Sequence, residues 1–198
     1  MDKIIQEFKE VSIAAISDAM DRLGIQGTCL GLSPVQYGYQ IVGRAYTVKY
    51  LPIGQEKGTV GDFIDEVPPG SVVVLDNGGR LDCTVWGDIL TSVAHMKNIA
   101  GTVVDGVCRD VKCSLELRYP IFSRGKFMRT GKDRVDAVGF NVPVQVCNVQ
   151  VRPGDILYGC DDGVLVIPRA REEEILTVAQ LIEEKEEGIR QEVLKGTP

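Results

Sequence analysis

The stretch GTVVDGVCRDVKC, residues 101–113, decides the fold. Its first half is apolar enough to be a buried strand. Its second half leaves through Gly106 and at once displays Arg109 and Asp110 between two thiols, Cys108 and Cys113. Residues 99–104 read as the strand and 109–118 as a helix, and the same pattern recurs on both sides. Upstream, Pro68, Pro69 and Gly70 turn the chain into SVVVL (71–75), a central strand, and 86–97 reads as the helix that follows. Downstream, 120–123 is a further short strand. Strand, helix and strand in this rhythm imply parallel βαβ units, and so an α/β protein.

Farther out, Ile4, Ile5, Phe8, Ile13, Ile16 and Met20 recur at helical spacing within 2–23. The pattern leaves room for a break near Ser12 and a stop at Gly24. The glycine-rich segment 24–39 reads as loop, and 57–66 as a short helix. Residues 41–50 read as a strand in which Gly43 marks a bulge or close packing. Later the chain is richer in strand, at 144–147, 149–151, 156–158 and 164–167. Residues 170–195 form a long charged helix with Ile175, Val178, Leu181 and Ile182 as its apolar stripe; its polar end either frays or packs on another subunit. VPPGSVVVLDNGG (67–79) and VRPGDILYGCDDG (151–163) look like the same device, a turn feeding a core strand. No linker divides the chain, so residues 1–198 read as a single domain.

Composition narrows the function. At 198 residues, 44% hydrophobic and 25% charged, the chain can bury a substantial core and looks like a soluble globular protein. No run approaches the roughly 18 apolar residues of a membrane span. The start, MDKIIQEFKE, has charges where an export signal needs its apolar stretch, so a cytoplasmic location is expected. Six cysteines without a CxxC pair read as reduced thiols rather than zinc ligands. A net charge of −6 with scattered Lys and Arg argues against direct contact with nucleic acid. The basic stretch 124–134 is diluted by Asp133 and Asp136 and reads as a solvated loop. His95, the single histidine, reads as a surface residue late in a helix, and Asp161-Asp162-Gly163 as a turn rather than a calcium loop.

The chemistry concentrates where strands end. Asp88, in WGDIL (86–90), opens one helix, and Arg109 with Asp110 opens the next. In an open α/β sheet such positions fall at the carboxyl ends of strands, where ligands bind. Unpaired N–H groups in a helix's first turn suit a carboxylate, and Arg109 adds a bidentate clamp. Asp88 and Asp110 are hard oxygen donors suited to Mg²⁺ or Mn²⁺. Together these groups would hold a 2-keto acid. The competing reading is simpler: Asp at a helix start is common because it caps, and the neighbouring Arg is merely solvated. Spacing alone leaves both open.

The segment GTVVDGVCRD with Asp88 upstream, SDAMDRLG near the start, VGRAYTVK at 42–49, the PGS and WGD segments, and the closing PGD…DDGVLVIP together resemble one family. It comprises the 4-hydroxy-4-methyl-2-oxoglutarate aldolases and the RraA-like regulators of ribonuclease E. The resemblance implies a compact α/β/β swivelling-type domain with mixed sheets and the long C-terminal helix, assembled as homotrimers or paired trimers. It also implies site roles: Asp110 binds the divalent metal directly and Asp88 holds it through water. Arg109 takes the pyruvoyl carboxylate beside the backbone of Gly87, Asp88, Ile89 and Leu90. One departure stands out. Aldolases of this family usually carry Glu or Asp three residues after the Arg-Asp pair, and here that position is Cys113, a neutral thiol and a poor ligand for Mg²⁺. Both Cys108 and Cys113 are expected to pack among apolar groups. Some relatives bear the label of a demethylmenaquinone methyltransferase, but no glycine-rich nucleotide loop follows the first strand here.

The expected function is therefore a metal-dependent lyase on 2-keto acids: oxaloacetate decarboxylation, with retro-aldol cleavage of 4-hydroxy-2-keto acids to pyruvate as the more demanding extension. The alternative is a non-catalytic regulator that binds a ribonuclease, for which the acidic balance suits a basic partner segment.

Overall fold

The computed structural model describes residues 2–55 and 58–196. The N-terminal helical pattern is split into α1 (Lys3–Lys9) and α2 (Ile13–Arg22). Ser12 makes the split, because its hydroxyl accepts from Ala15 N at 3.2 Å and caps α2. Gly24 then leaves in the left-handed region at φ +66°. The expected loop 24–39 instead holds two short strands, β1 (Thr28–Cys29) and β2 (Ser33–Pro34). At two residues each they are too short to show any periodicity. β3 (Ile41–Pro52) and β4 (Val72–Thr84) follow, then α3 (Asp88–Met96), β5 (Gly101–Cys108), α4 (Val111–Leu117) and β6 (Ile121–Lys126). The remainder is β7 (Val135–Phe140), β8 (Val144–Val146), β9 (Val149–Val151), β10 (Ile156–Cys160), β11 (Gly163–Ile167) and α5 (Glu172–Leu194). Of the short helix expected at 57–66, Lys57 lies outside the described residues, and the rest forms only a single 3₁₀ turn, Ile64–Glu66.

The strands order β1-β11-β10-β3-β4-β5-β6-β2, with β7 paired to β3. β3, β4, β5 and β6 are mutually parallel, joined across β4, β5 and β6 by α3 and α4. β10 and β11 add antiparallel strands beyond β3, so the sheet is mixed. Alternation along the parallel strands sorts their side chains into two cores. Val73, Leu75 and Val104 face the helices, with Trp86, Ala94 and Tyr119. Val72, Val74 and Val103 face the β8–β9 hairpin, with Val144, Val146 and Val151. Helices, central sheet and hairpin are the α/β/β layers that the family resemblance implied. A third core packs α1, α2 and α5 over β10 and β11, through Phe8, Ile16, Met20, Ile175, Ala179 and Ile182. The buried stripe of α5 is Ile175, Leu176, Ala179 and Ile182; Leu181, assigned to it from the sequence, is 61% exposed. Among the described residues no helix is long and apolar enough to cross a membrane.

Two turns carry the echo seen in the sequence. Gly70 and Gly154 both take left-handed conformations, at φ +78° and +85°, and feed β4 and β10, which flank β3 on its two sides. Gly43 of β3 sits against the first of these turns: a Cβ there would lie 2.6 Å from Gly70 O, so close packing requires the glycine. The irregularity in β3 falls elsewhere, at Lys49/Tyr50, where β7 pairs.

The β8–β9 hairpin, with three residues per strand, is too small to hold itself. Asp76 and Asp105 are register partners on β4 and β5, both buried, and both turned toward it. Asp76 Oδ2 accepts from Gln145 N at 3.2 Å and Asp105 Oδ2 from Cys147 N at 3.0 Å. Arg124 of β6 forms an ion pair with Asp105 through its Nε. The stretch 124–134 is thus not a uniform solvated loop: Arg124 and Lys126 belong to β6, and Arg124 neutralises a buried carboxylate.

Candidate active site

The carboxyl ends of β4 and β5 are stitched together before the helices begin. Thr84 Oγ1 donates to Val107 O at 2.8 Å and accepts from Trp86 N at 3.1 Å. Arg109 N donates to Trp86 O at 3.1 Å. Trp86 is fully buried, donates from Nε1 to Thr91 Oγ1 at 2.9 Å, and stacks on Tyr119 with ring centroids 6.2 Å apart. Helix α3 therefore starts from an anchored point beside the end of β5.

Gly87 is the N-cap of α3 and Asp88 its first residue. Asp88 Oδ1 accepts from Ile89 N at 2.9 Å, so for Asp88 the local capping role is real. Asp110 behaves differently. It precedes α4 with a left-handed backbone, φ +54°, and its side chain makes no cap bond to that helix. Its Oδ2 instead accepts from Asp88 N at 3.2 Å and lies 3.2 Å from Arg109 Nε. Asp110 thus does not cap its own helix: its carboxylate is aimed across at the first amide of α3. Arg109 and Asp110 are each more than a third exposed, and among the described residues the Arg109 Nη groups meet no protein acceptor. A side chain at position 87 would close this arrangement, since a Cβ there would fall 2.7 Å from Asp110 Oδ2 and 3.1 Å from Arg109 Nε.

A cleft of about 490 Å³ opens over these groups, lined by Gly87, Asp88, Ile89, Leu90 and Arg109 and also by Thr130 and Lys132. Asp110 borders a smaller depression that shares Arg109 with the cleft, and meets the cleft residues through Oδ2. The structure thus brings together every residue nominated from the sequence, with one qualification. The Ile89 amide is already held by Asp88 Oδ1, whereas the Leu90 amide has no partner among the described residues. Lys132 is a cleft cation that sequence reasoning missed, having placed it in a solvated loop. His95 is exposed on the last turn of α3 and does not line the cleft.

The two thiols part company. Cys108 is buried, with Sγ 3.5 Å from Ser123 Oγ, and burial raises its pKa. Cys113 does not pack among apolar side chains as expected; it is half-buried, with Sγ 3.7 Å from Ser92 Oγ and 3.8 Å from Asp88 O. It faces the first turn of α3, at the edge of the site.

The donor set tests a metal. No group of three or more His, Cys, Asp or Glu suited to holding a metal occurs among the described residues, so a closed zinc-type cage has no counterpart. One carboxylate, Asp110, with a second nearby, Asp88, fits a hard cation that keeps most of its waters, as Mg²⁺ does.

An open α/β sheet with a cleft at the carboxyl ends of its parallel strands defines a broad class of small-molecule sites. A family model described as RraA-like, Aldolase/RraA, matches residues 13–166, and the chain belongs to that family. Protein DlpA of Legionella pneumophila is 42% identical over 201 residues; the alignment covers 100% of this chain but 32% of DlpA, so the chain spans about a third of that relative's length. A protein of Halalkalibacterium halodurans, provisionally named a 4-hydroxy-4-methyl-2-oxoglutarate aldolase, is 36% identical over 89% of this chain and 81% of its own length. The crystal structure of Streptomyces coelicolor RraAS2, described as an unusual member of the RNase ES inhibitor RraA protein family, superposes with a TM-score of 0.86. It is 29% identical and covers 96% of each chain.

Proposed function

We propose that the chain is a lyase on 2-keto acids that uses Mg²⁺ or Mn²⁺, decarboxylating oxaloacetate and, as the finer extension, cleaving 4-hydroxy-2-keto acids to pyruvate. The observation that carries this reading is the Asp110 carboxylate, left off its own helix and set beside Arg109 at the start of α3. The substrate carboxylate lies on the free fork of Arg109 and the Leu90 amide. The Ile89 amide joins them once the Asp88 side chain turns away from it. Asp110 would hold the cation directly and Asp88 through water. When bound, the cation supplies Lewis-acid stabilisation of the enolate charge left as the C–C bond breaks. Val60, Ile64 and Val93 supply an apolar part of the cleft wall.

Pyruvate release from oxaloacetate, measured against the background of each metal alone, tests the proposal. Arg109→Lys keeps the charge but loses the planar fork, and kcat/KM is expected to fall about tenfold, or roughly 1.4 kcal/mol, with stability unchanged. Wild-type kinetics in that variant would remove Arg109 from substrate binding. If neither metal gives a rate above its background, the non-catalytic ribonuclease-binding reading, which the likeness to RraAS2 favours, takes its place.

The same reading makes the chain a homo-oligomer, trimer or hexamer. Ile89 at the cleft mouth is 76% exposed, and Ile189, Val193 and Leu194 on the polar end of α5 are all more than half exposed. Sedimentation at micromolar concentration is expected to give a multiple of the 21.6 kDa chain mass; a stable monomer would refute the assembly.

A further inference from the structure

A second constellation lies on the hairpin face of the sheet, apart from the keto-acid cleft. Cys147 opens the turn between β8 and β9, and both turn residues, Cys147 and Asn148, have left-handed backbones, at φ +49° and +68°. Asn is at home there; Cys is an uncommon choice for such a position. Arg124 Nη2 lies 3.2 Å from Cys147 Sγ, and Asp105 Oδ1 lies 3.8 Å from it. The cation is therefore nearer to the sulfur than the carboxylate it neutralises. The third member is Cys29, at the end of β1. Its Sγ is 4.0 Å from Val146 O, the residue before Cys147, and it lines an open cavity of about 270 Å³ with Leu30, Gly31 and Leu32.

We propose that Cys147 and Cys29 form a peroxide-oxidisable dithiol, in which Cys147 is the attacking thiolate and Cys29 the resolving thiol. The pKa directions agree with that division. Cys147 is lowered, first by the hydrogen bond from Cys29 and also by Arg124, against burial and the Asp105 charge. Cys29 is raised, by its hydrogen bond to Cys147 and by burial. Cys83, Cys108 and Cys160 are each raised, chiefly by burial, and so are slower nucleophiles at neutral pH.

The chemistry balances with a hydroperoxide as the oxidant. Cys147 sulfur attacks the peroxide oxygen; an S–O bond forms as the O–O bond breaks, and the departing oxygen takes a proton and leaves as water or an alcohol. Sulfur is oxidised by two electrons and the peroxide reduced by two, giving a sulfenic acid at Cys147. Cys29 then attacks Cys147 Sγ; the S–S bond forms, the S–O bond breaks, and the sulfenic oxygen leaves as water with the Cys29 proton.

The test is stoichiometric hydrogen peroxide added to the reduced full chain at neutral pH, followed by alkylation and non-reducing peptide mapping. The expected result is a loss of about 2 Da and a Cys29–Cys147 cross-linked peptide as the main product. Cys29→Ser should stop at the sulfenic acid, trapped on Cys147 by a cyclic dione. Arg124→Gln should slow oxidation of Cys147 about tenfold, because the thiolate loses its cation. Oxidation spread over Cys113 and Cys160 with no Cys29–Cys147 peptide in the wild-type protein would overturn the proposal. The wild-type map decides this even if a variant fails to fold.

Discussion

On the proposed function, Asp110→Asn is expected to bring pyruvate release down to the metal-only background, a loss of at least about a hundredfold, while the melting temperature barely moves. Removing even an outer partner of a metal costs about 10–100-fold, so loss of a carboxylate that holds it directly, the role proposed for Asp110, would cost more. Asn is the discriminating replacement. It removes the negative charge, yet tolerates the left-handed backbone that Asp110 occupies at φ +54°, which Ala does not. Asp110 caps nothing on α4, and the Asn amide oxygen can still accept from Asp88 N at the start of α3, so no helix end is exposed by the change. Activity kinetics beside thermal unfolding check it: activity retained at saturating Mg²⁺ would place the cation elsewhere. Cys113→Glu is the converse. The thiol faces Asp88 O rather than the core, so a carboxylate there is placed beside the site and stays hydrated. Tighter Mn²⁺ binding and a gain in retro-aldol cleavage relative to decarboxylation are expected. A folded variant with neither would separate position 113 from the metal.

Asp105→Ala is expected to destabilise the fold by roughly 3 kcal/mol, the lower end for one partner removed from a buried pair, because Arg124 is 29% exposed and recovers some water. The change strands the Arg124 guanidinium and leaves Cys147 N without its acceptor. For a chain of this length that corresponds to a melting temperature lower by about 6–12 °C. Asp105→Asn, which keeps an acceptor for Cys147 N, should lose less. Thermal denaturation of the two variants decides it: an unchanged melting temperature in the alanine variant would mean that the hairpin is held by its apolar face alone.

These two carboxylates show where the sequence was legible. Arg109 and Asp110 could be placed because strand ends follow from apolar runs and glycine exits, and strand ends are where parallel sheets present side chains. Asp105 lies in the same quoted segment, yet its role depends on Cys147, 42 residues away, and that of Asp76 on Gln145, 69 residues away. No local pattern reports such contacts. β7 was missed for a similar reason: VDAVGF alternates only weakly, and it is a strand because β3 runs past its irregularity at Lys49/Tyr50 and offers an edge. The layer order came from the resemblance, not the periodicity. The orientation of Cys113 was read incorrectly because a residue one turn into a seven-residue helix can face either the core or the neighbouring helix.

The stitching of the two strand ends has a further consequence. Thr84, Trp86 and Arg109 are tied by backbone and hydroxyl bonds, and Asp88 N is held by Asp110, so the walls that would meet an anion are fixed to the most buried part of the sheet. Ordering a residue costs about 1–2 kcal/mol of backbone entropy, and here that cost is met when the chain folds rather than when a ligand arrives. Selectivity then comes from shape. A backbone held in this way would discriminate between acids by the spacing of their carboxylate and carbonyl, leaving only side chains such as that of Asp88 to adjust.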